Sequence, residues 1–528
     1  MNRMMRILCL LLAVLFLCGA AFAENAGQGR LNGKDNYRVF YEIFVASFSD
    51  SDGDGTGDLR GIINRLDYLN DGDPASGRSL GIGGLWLTPV FPSPSYHKYD
   101  VTDFCDVDPV FGTLEDLKEL VDRCHARDVK VILDLPLNHT GTGHRWFQNF
   151  RNAHLVGNAA NEHYDFYSWI REGDPVPAGR RFVKLPGTDI LYEGNFSDNM
   201  PELNFDNEKV RAEVLRVAEF WLELGVDGFR FDAAKYPYLG DHARNTAFWE
   251  WYMGELRKTW PDLYAVAEVW DGDGVTERYL KAFNCFHFST SQAEGLIAST
   301  AAGGNVNAFV AATGKYLDSI HAVNPKAMNI PFIANHDTDR AAGYLTMASG
   351  RMHMAAGLYL LLPGSPFIYY GEEIGLRGSR GGSNTDANRR LAMLWGDGDT
   401  VKDPEGSTYD KQSSFSVKDL EAMDGSLLTH YRKLMRIRKE NPEIASGEFR
   451  PLSFPDSKAG GFLCTLNGST VGVFHNTTDR VQVLNLADTE AAFLEEVTAM
   501  VTAQPMDGGA ELRDGMLTLG PQTTAVLR

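Results

Sequence analysis

Short apolar runs alternate with amphipathic stretches along most of this chain. Runs rich in β-branched and aromatic residues lie at 38–45, 84–89, 129–135, 226–231, 263–269, 285–288, 330–334 and 366–370. Between two of these runs, residues 207–224 show the clearest helical spacing, with apolar side chains at three- and four-residue steps: Val210, Val214, Val217, Trp221 and Leu224. Eight strands with intervening helices predict an α/β fold, a (β/α)₈ TIM barrel.

Two segments interrupt this alternation. Residues 139–203 follow the third predicted strand without a long periodic helix and are too many for an ordinary βα loop, so we interpret them as a small inserted domain, domain B. Beyond residue 447 the pattern changes to short alternating strands, which predicts a C-terminal all-β sandwich. The predicted barrel therefore occupies 37–138 and 204–447, and the sandwich occupies 448–528.

The N-terminus has the pattern of an export signal. Arg3 and Arg6 precede an apolar run of 11 residues at 7–17, and Ala21-Phe22-Ala23 fits a cleavage site. This run is short for a bilayer span. We therefore expect residues 1–23 to be a cleaved signal peptide, with the mature protein extracellular or periplasmic and without a stable membrane span. A retained anchor is the alternative.

Composition narrows the classes of partner. The 528 residues carry 50 Lys+Arg against 70 Asp+Glu, a formal charge of -20, and no basic run offsets it. Nucleic acid is therefore excluded as an expected partner, since its binding depends on cationic side chains. A neutral ligand or bound cations would tolerate this charge, and we expect a monomer. Four cysteines outside the signal are interpreted as buried free thiols, with disulfide pairing left open: Cys105, Cys124, Cys285 and Cys464.

Polar residues that could take part in catalysis or binding follow several of the predicted strands. In a barrel of this kind, functional side chains project from the carboxyl ends of the strands. The residues at those ends are Asp134, Asn138, His139, Arg230, Asp232, Glu268, His336 and Asp337. Several carboxylates converging with histidines and an arginine suit cleavage of a glycosidic bond, in which one carboxylate attacks the sugar and another protonates the leaving oxygen.

Seven motifs resemble one known family. The segments DLPLNHT (134–140), GFRFDAAKY (228–236), AEVW (267–270) and FIANHDTDR (332–340) resemble the four signature regions of the family 13 glycoside hydrolases, the α-amylase family. Three accessory stretches, at 83–104, 200–204 and 364–375, are also similar, and the resemblance runs in family order from about residue 37 to 452.

The resemblance implies a role for each catalytic residue. Asp232 would be the nucleophile that forms a covalent glycosyl-enzyme, and Glu268 the general acid and later the base. Asp337 would grip ring hydroxyls and favour the distorted transition state. Arg230, two residues before the nucleophile on the same strand, would point to the same face and lower the pKa of Asp232.

Further residues are implied to contact the substrate. His139 and His336 would hydrogen-bond the sugar at the cleavage point, Tyr99 would stack on it, and Lys235 would contact a glucose on the leaving side. About a third of seven nearby aromatic residues are expected to face the cleft: Trp146, Phe147, Tyr164, Tyr167, Trp169, Tyr236 and Tyr238.

An acidic loop follows the first predicted strand. Its oxygen-bearing residues alternate with glycines, but the twelfth position is Gly61 rather than Glu, so it is not an EF-hand. It resembles the calcium loop found after the first barrel strand in many family members, and the alternative is a solvated acidic turn. The implied Ca²⁺ ligands are the carboxylates of Asp50, Asp52, Asp54 and Asp58 and the carbonyl of Thr56.

The resemblance also implies a second calcium ion, between the barrel and domain B. Asn138 of the first signature region stands at a ligand position of many α-amylases. Glu202 stands where an aspartate ligand often does. Asn138 and Glu202 are therefore candidate ligands of a second Ca²⁺.

Substrate preference depends on a few positions. Ala233, Ala234 and Lys235 resemble α-1,4-acting α-amylases, whereas MPELN at 200–204 resembles the group between oligo-1,6-glucosidases and neopullulanases, and Pro136 departs from the common Val. We therefore expect retaining endo-hydrolysis of α-1,4 bonds in starch, glycogen and maltodextrins. The alternatives are a neopullulanase or cyclomaltodextrinase, an α-glucosidase or a transglycosylase, and, as a minor alternative, a non-catalytic carbohydrate-binding relative.

Overall fold

The computed structural model describes residues 37–346, 350–381, 386–409, 415–503 and 508–528. The expected signal peptide at 1–23 lies outside these ranges. Within them, none of the helices combines the length and the apolar character that a membrane crossing requires.

Strands and helices alternate along the first three quarters of the chain. The described strands are β1 (Phe40–Ile43), β2 (Gly84–Leu87), β3 (Lys130–Leu135), β4 (Trp169–Arg171), β5 (Phe182–Lys184), β6 (Ile190–Glu193), β7 (Gly228–Phe231), β8 (Tyr264–Ala267), β9 (Asn284–Cys285), β10 (Phe367–Tyr369), β11 (Glu448–Pro451), β12 (Ala459–Leu466), β13 (Ser469–Asn476), β14 (Gln482–Asn485), β15 (Val497–Thr502), β16 (Ala510–Arg513), β17 (Met516–Leu519) and β18 (Thr523–Leu527).

The described α-helices fill most of the intervals between these strands. They are α1 (Leu59–Asn64), α2 (Leu66–Leu69), α3 (Leu114–His125), α4 (Arg145–Leu155), α5 (Glu208–Leu224), α6 (His242–Thr259), α7 (Asp273–Thr276), α8 (Leu296–Ala301), α9 (Val306–Val323), α10 (Ala341–Tyr344), α11 (Arg351–Leu360), α12 (Val417–Glu421), α13 (Leu427–Glu440) and α14 (Pro442–Ser446).

A parallel sheet curls into the predicted barrel. Its order is β10, β1, β2, β3, β7, β8, β9. The segment predicted as a strand at 330–334 takes the eighth position through two isolated parallel bridges, from Ile330 to Phe286 and from Phe332 to Phe367. Pro331 lies between them and has no N–H to donate, which explains why this segment pairs so briefly. The two bridges connect both ends of the sheet, and the (β/α)₈ fold class is confirmed.

Apolar side chains on both faces of the strands hold the barrel together. All four residues of β1, β2, β7 and β8 are buried, as expected for parallel strands covered by helices. The side chains that pack in one cluster inside the ring include Phe40, Trp86, Ile132, Val266, Phe286, Phe332 and Phe367. The interior is therefore solid, and the chemistry has to occur at one of its ends.

The predicted helix at 207–224 is present as α5. Asn207 caps its first turn by accepting the N–H of Lys209, and Gly225 ends it with a φ of 111°. Such a left-handed conformation suits glycine because it has no Cβ. The stripe read from the sequence, including Val214 and Trp221, is buried against the barrel.

The segment between β3 and α5 contains more helix than its sequence indicated. It opens with the 11-residue helix α4, in which Trp146, Phe147 and Phe150 are buried. These side chains are spaced as one helical face, a period hidden by the many other aromatic residues around them. A three-stranded antiparallel sheet in the order β4, β6, β5 completes the segment.

Two antiparallel sheets form the C-terminal part, in the orders β11, β12, β13, β18, β15 and β14, β17, β16. Side chains from both sheets, such as Phe474, Leu484 and Leu517, share one buried cluster. This arrangement is the expected β-sandwich. The four cysteines named above are free thiols, three of them buried and Cys105 half-exposed.

Candidate active site

The carboxyl ends of neighbouring strands bring the predicted acidic residues together. β3 and β7 pair in a register that sets Asp134 opposite Arg230. Asp232 and Glu268 follow the last residues of β7 and β8, which are paired with each other. Asp337 comes from the segment that closes the ring. Asp232, Glu268 and Asp337 line a single cleft of about 600 Å³.

Arg230 is the centre of this arrangement and is 1% exposed. One terminal nitrogen donates to Oδ1 of Asp134 at 2.9 Å and to Oδ1 of Asp232 at 2.5 Å, and the other donates to Oε2 of Glu268 at 2.9 Å. Because a guanidinium group is a rigid planar fork, it fixes the positions of the groups it binds. Asp232 and Glu268 are thus held side by side.

The carboxyl of Glu268 has an unusual affinity for its proton. Burial raises the pKa of Glu268 to about 7; Arg230 opposes this rise, while Asp232 and Asp337 add to it. Burial also raises the pKa of Asp232, although Arg230 acts to lower it. The sequence pointed only to the lowering effect of Arg230, because the depth of burial could not be read there. A carboxyl with a pKa near 7 is suited to general acid catalysis.

Asp337 lies in the opposite electrostatic environment. Arg390 donates to its Oδ1 at 2.7 Å, and Nε2 of His336 lies 3.0 Å from its Oδ2. Burial by itself raises the pKa of Asp337, but His336 and Arg390 outweigh it and hold that pKa well below the usual range. Asp337 therefore stays ionised where Glu268 is still protonated.

His336 is held as a cation by its neighbours. Its Nδ1 lies 2.5 Å from Oε1 of Glu42, and its Nε2 lies 2.7 Å from the hydroxyl of Tyr99. Burial lowers the pKa of His336, but Asp337 and Glu42 raise it to about 10. The structure thus places His336 beneath the carboxylate of Asp337 as a charged hydrogen-bond donor.

Tyr99 and His139 form another part of the wall. The hydroxyl of Tyr99 donates to Oδ2 of Asp134 at 2.9 Å, and its carbonyl lies 3.2 Å from Nε2 of His139. Burial lowers the pKa of His139 to about 4, so this imidazole is neutral. Since a carbonyl can only accept, Nε2 carries the proton and Nδ1 is left as an acceptor. That Nδ1 is itself buried and has no hydrogen-bond partner in the described part of the protein.

Lys235 lies on the wall next to Glu268. Its ammonium group donates to the carbonyl of Trp270 at 2.6 Å and to Asp271 at 2.9 Å. Of the seven aromatic residues considered from the sequence, Tyr236 lines this cleft. Several of the others pack inside the inserted segment, which needs a core of its own. Exposed aromatic faces come instead from Phe196 and Trp270, which are 44% and 41% exposed.

Sequence reasoning missed several charged residues of the site, among which Glu42 and Arg390 are deeply buried. Glu42 is buried in the middle of β1, and a carboxylate within an apolar run was the only signal for it. Arg390 lies in the loop region after β10 and is 4% exposed. No local pattern marks Arg390, because the residues it contacts come from other segments: it donates to the carbonyl of His336 at 3.1 Å and to the hydroxyl of Tyr96 at 3.1 Å.

The acidic loop after β1 folds around its own carboxylates. Asp50 accepts backbone N–H groups from residues 52, 53 and 55. Carboxylate oxygens of Asp50, Asp52 and Asp58 lie within 4.8 Å of one another. This spacing is about twice the Ca²⁺–oxygen distance of about 2.4 Å. The three residues therefore fit the implied cation, whereas Asp54 is outside this group and accepts the N–H of Thr56.

The second pair of proposed ligands is brought together, but the two residues bind each other. The amide of Asn138 donates to the carboxylate of Glu202, which is 3% exposed. Burial and the nearby Glu193 raise the pKa of Glu202 well above its usual value. Arg180 pairs with Glu193 at 3.2 Å. Among the described residues, Glu202 does not belong to a converging group of three or more His, Cys, Asp or Glu side chains.

Comparison with known proteins agrees with this geometry. The family model described as Alpha amylase, catalytic domain, matches residues 42–447. Alpha-amylase 3 of Dictyoglomus thermophilum is 34% identical over 496 residues, which cover 93% of each chain. The 4-alpha-glucanotransferase of Thermotoga neapolitana is 29% identical over 455 residues, which cover 83% of this chain and 95% of that protein.

A solved structure extends the likeness to three dimensions. The crystal structure of the α-amylase from H. orenii matches with a TM-score of 0.79 at 34% identity, and the match covers 93% of this chain and 99% of that one. The chain therefore belongs to the α-amylase family, glycoside hydrolase family 13.

Proposed function

We propose that this enzyme is an α-amylase that hydrolyses internal α-1,4-glucosidic bonds of starch, glycogen and maltodextrins with retention of configuration. One observation carries the proposal: Arg230 holds Asp232 and Glu268 side by side in an open cleft, and the pKa of Glu268 is about 7. A carboxyl group that can donate a proton, beside a second carboxyl group that can attack the sugar, is what a retaining glycosidase requires.

In the first step, the carboxylate of Asp232 attacks the anomeric carbon. The glycosidic bond breaks, and its oxygen takes the proton of Glu268 and leaves with the rest of the chain. A covalent glycosyl-enzyme remains. In the second step, the ionised Glu268 accepts a proton from water, whose oxygen attacks the same carbon and releases Asp232. Two inversions give net retention.

The remaining wall residues are suited to the sugar between these two carboxyl groups. Asp337 stays ionised and favours the positive charge that develops on the ring. His336 and Arg390 hold that carboxylate in place. His139 and Tyr99 both line the cleft and would contact the sugar from the same wall.

Transglycosylation is the alternative with specific support. A 4-alpha-glucanotransferase is among the relatives. The motif at 200–204 also resembles that of the group between oligo-1,6-glucosidases and neopullulanases. A sugar hydroxyl can replace water in the second step without any change in the roles of Asp232 and Glu268. A neopullulanase, a cyclomaltodextrinase or an α-glucosidase would share the same two steps.

Product analysis distinguishes these activities. An α-amylase should convert amylose into mixed maltooligosaccharides with a rising number of reducing ends. Glucose alone from amylose and maltotriose would indicate an α-glucosidase, and panose from pullulan would indicate a neopullulanase. If the chain lengths are redistributed without new reducing ends, the enzyme is a transglycosylase and not a hydrolase. If none of these substrates is consumed, the enzymatic proposal is wrong.

We also propose that the loop after β1 binds Ca²⁺ through Asp50, Asp52 and Asp58, with the carbonyl of Thr56 as a further ligand. Convergence of the three carboxylates supports this site. The cation would neutralise them and fix the loop on the barrel. A second Ca²⁺ at Asn138 and Glu202 has weaker support, because these two side chains already bind each other.

Export is proposed from the pattern at 1–23 alone. An exported enzyme would meet α-glucans outside the cytoplasm, as a monomer. Signal cleavage before Glu24 can be checked by N-terminal sequencing of the mature protein.

A further inference from the structure

A second cavity opens at the same end of the barrel as the catalytic cleft. It has a volume of about 530 Å³ and is lined by residues 288, 289 and 291–295 together with Asp339, Tyr344 and Arg389. These residues follow β9, the ring-closing segment and β10. Catalytic side chains also come from the carboxyl ends of barrel strands, so the cleft and this second cavity face the same side.

An aromatic wall separates the two spaces. Trp270 lines the catalytic cleft and Phe288 lines the second cavity. Their rings are stacked, with centroids 4.9 Å apart and planes 14° apart. Trp270 is 41% exposed, so part of this wall is open to solvent. An exposed aromatic face can stack on the apolar C–H groups of a sugar ring. With a second cavity behind it, this wall is a suitable path for a sugar chain.

Ion pairs form the other boundary. Asp386 lines the catalytic cleft, Arg389 lines the second cavity, and these two pair at 3.2 Å. Arg389 also pairs with Asp339 at 2.9 Å. Because its charges are paired, this boundary is suited to a neutral polyhydroxyl ligand rather than to an ion.

Inside the second cavity, Gln292 is free to bind a ligand. Its backbone has a φ of 69°, and its N–H donates to the carbonyl of Ile333 at 2.9 Å. The side-chain carboxamide has no hydrogen-bond partner within the described ranges. A carboxamide offers both donors and an acceptor, which matches the hydroxyl groups of a sugar.

We propose that this second cavity is a remote binding subsite for the leaving-side end of a long α-glucan chain, reached across Trp270. The assignment rests on the proposed function, in which Glu268 protonates the leaving oxygen. Trp270 lies two residues after Glu268, and its carbonyl binds Lys235. The aromatic wall is therefore on the proton donor's side. Long chains would reach the second cavity, and short ones would end before it.

The test compares substrate consumption for maltoheptaose and maltotriose, which counts hydrolysis and transfer alike. Ala293→Trp fills the second cavity, and Gln292→Ala removes its carboxamide. Each should lower the ratio of kcat/KM for maltoheptaose to that for maltotriose by about five- to tenfold, the loss expected for one hydrogen-bonded contact. The matched control is Ala302→Trp, an exposed alanine at a different cavity of about 500 Å³, and it should leave the ratio unchanged.

A binding measurement keeps this test independent of turnover. In an Asp232→Asn background, calorimetry should show that Ala293→Trp weakens maltoheptaose binding several-fold more than maltotriose binding. An unchanged kinetic ratio together with unchanged maltoheptaose affinity would overturn the remote subsite. The wild type could consume neither substrate while Ala293→Trp still weakens maltoheptaose binding more than maltotriose binding. In that case the proposed activity is wrong, but the remote subsite is supported.

Discussion

Glu268 and Asp337 are both carboxyl groups at the edge of one cleft, yet they hold their protons very differently. Burial dominates at Glu268 and raises its pKa to about 7. Two cationic partners, His336 and Arg390, dominate at Asp337 and lower its pKa. Glu268 therefore keeps its proton and Asp337 is ionised because of their different surroundings, and not because one is Glu and the other Asp.

The pKa of Glu268 predicts the alkaline limb of the pH profile. A general acid acts in its protonated form, and that form is lost as pH rises through about 7. We therefore expect kcat/KM for maltoheptaose to fall about tenfold for each pH unit above 7. Glu268→Gln should be slowed about 10²- to 10⁴-fold and should lack this limb. A wild-type profile that stays flat to pH 9 would contradict the assignment.

Replacing the proposed nucleophile gives a second prediction. Asp232→Asn should reduce amylose hydrolysis by about 10⁴-fold or more, because an amide cannot form the covalent intermediate. Circular dichroism should still show cooperative unfolding. Asp262→Asn, an exposed aspartate just before β8 at the opposite end of the barrel, is the control and should keep full activity. Appreciable turnover by Asp232→Asn would exclude its role as nucleophile.

Among the structural elements, the loop between β1 and α1 combines two functions. Asp58 caps α1 by accepting the N–H of Gly61, and its other oxygen accepts from Ser51. Gly53 and Gly55 adopt φ values of 89° and 99°, which permit the tight turns between the carboxylates. The turn chemistry thus brings the proposed calcium ligands together, and a bound cation would relieve their mutual repulsion.

Chelation should therefore destabilise the protein. A ligand that binds only the folded state adds about 2.7 kcal/mol when its free concentration is about 100 times Kd. We expect EDTA to lower the thermal midpoint of the wild type by several degrees and to have little effect on an Asp50→Asn/Asp52→Asn variant. Asp479→Asn, a highly exposed aspartate, should retain the response. If EDTA leaves the thermal midpoint unchanged and metal analysis finds no calcium, the loop is a solvated acidic turn and the calcium proposal is wrong.

Local pattern predicted some elements far better than others. The helix α5 was predicted almost to its ends because its apolar period, its Asn cap and its final Gly all agree. The helix α4 was missed because its apolar face lies among many other aromatic residues. The ring-closing segment was predicted as a strand, but only neighbouring strands could show that it pairs through two bridges.

In the molecule as a whole, the sandwich is attached to the barrel by a paired charge. Arg528, directly after β18, binds both carboxylate oxygens of Glu443 in α14 at 3.0 and 3.1 Å. Glu443 is almost completely buried, whereas Arg528 is 37% exposed. Burial by itself raises the pKa of Glu443, but Ser469 and Arg528 outweigh it and lower that pKa.

The pair predicts an acid-sensitive attachment. Because the folded pKa of Glu443 is lowered, its contribution is complete above the ordinary glutamate pKa of about 4.3 and is lost as pH falls through the folded value. Arg528→Ala should cost about 1 kcal/mol at pH 7 and less at pH 3, measured by chemical denaturation. Arg513→Ala, whose side chain is 77% exposed, is the control and should change little. Equal losses at both pH values would exclude the linkage.

The sequence by itself predicted the alternation of strands and helices in the barrel and placed Asp232, Glu268 and Asp337 at strand ends, because apolar period and order along the chain are properties of neighbouring residues. Only the tertiary structure decided their environment. Glu42 is 294 positions from His336, and Arg390 is 53 positions from Asp337. Proton affinities and the second cavity depend on burial and on contacts between distant segments, which exist only once the barrel has closed.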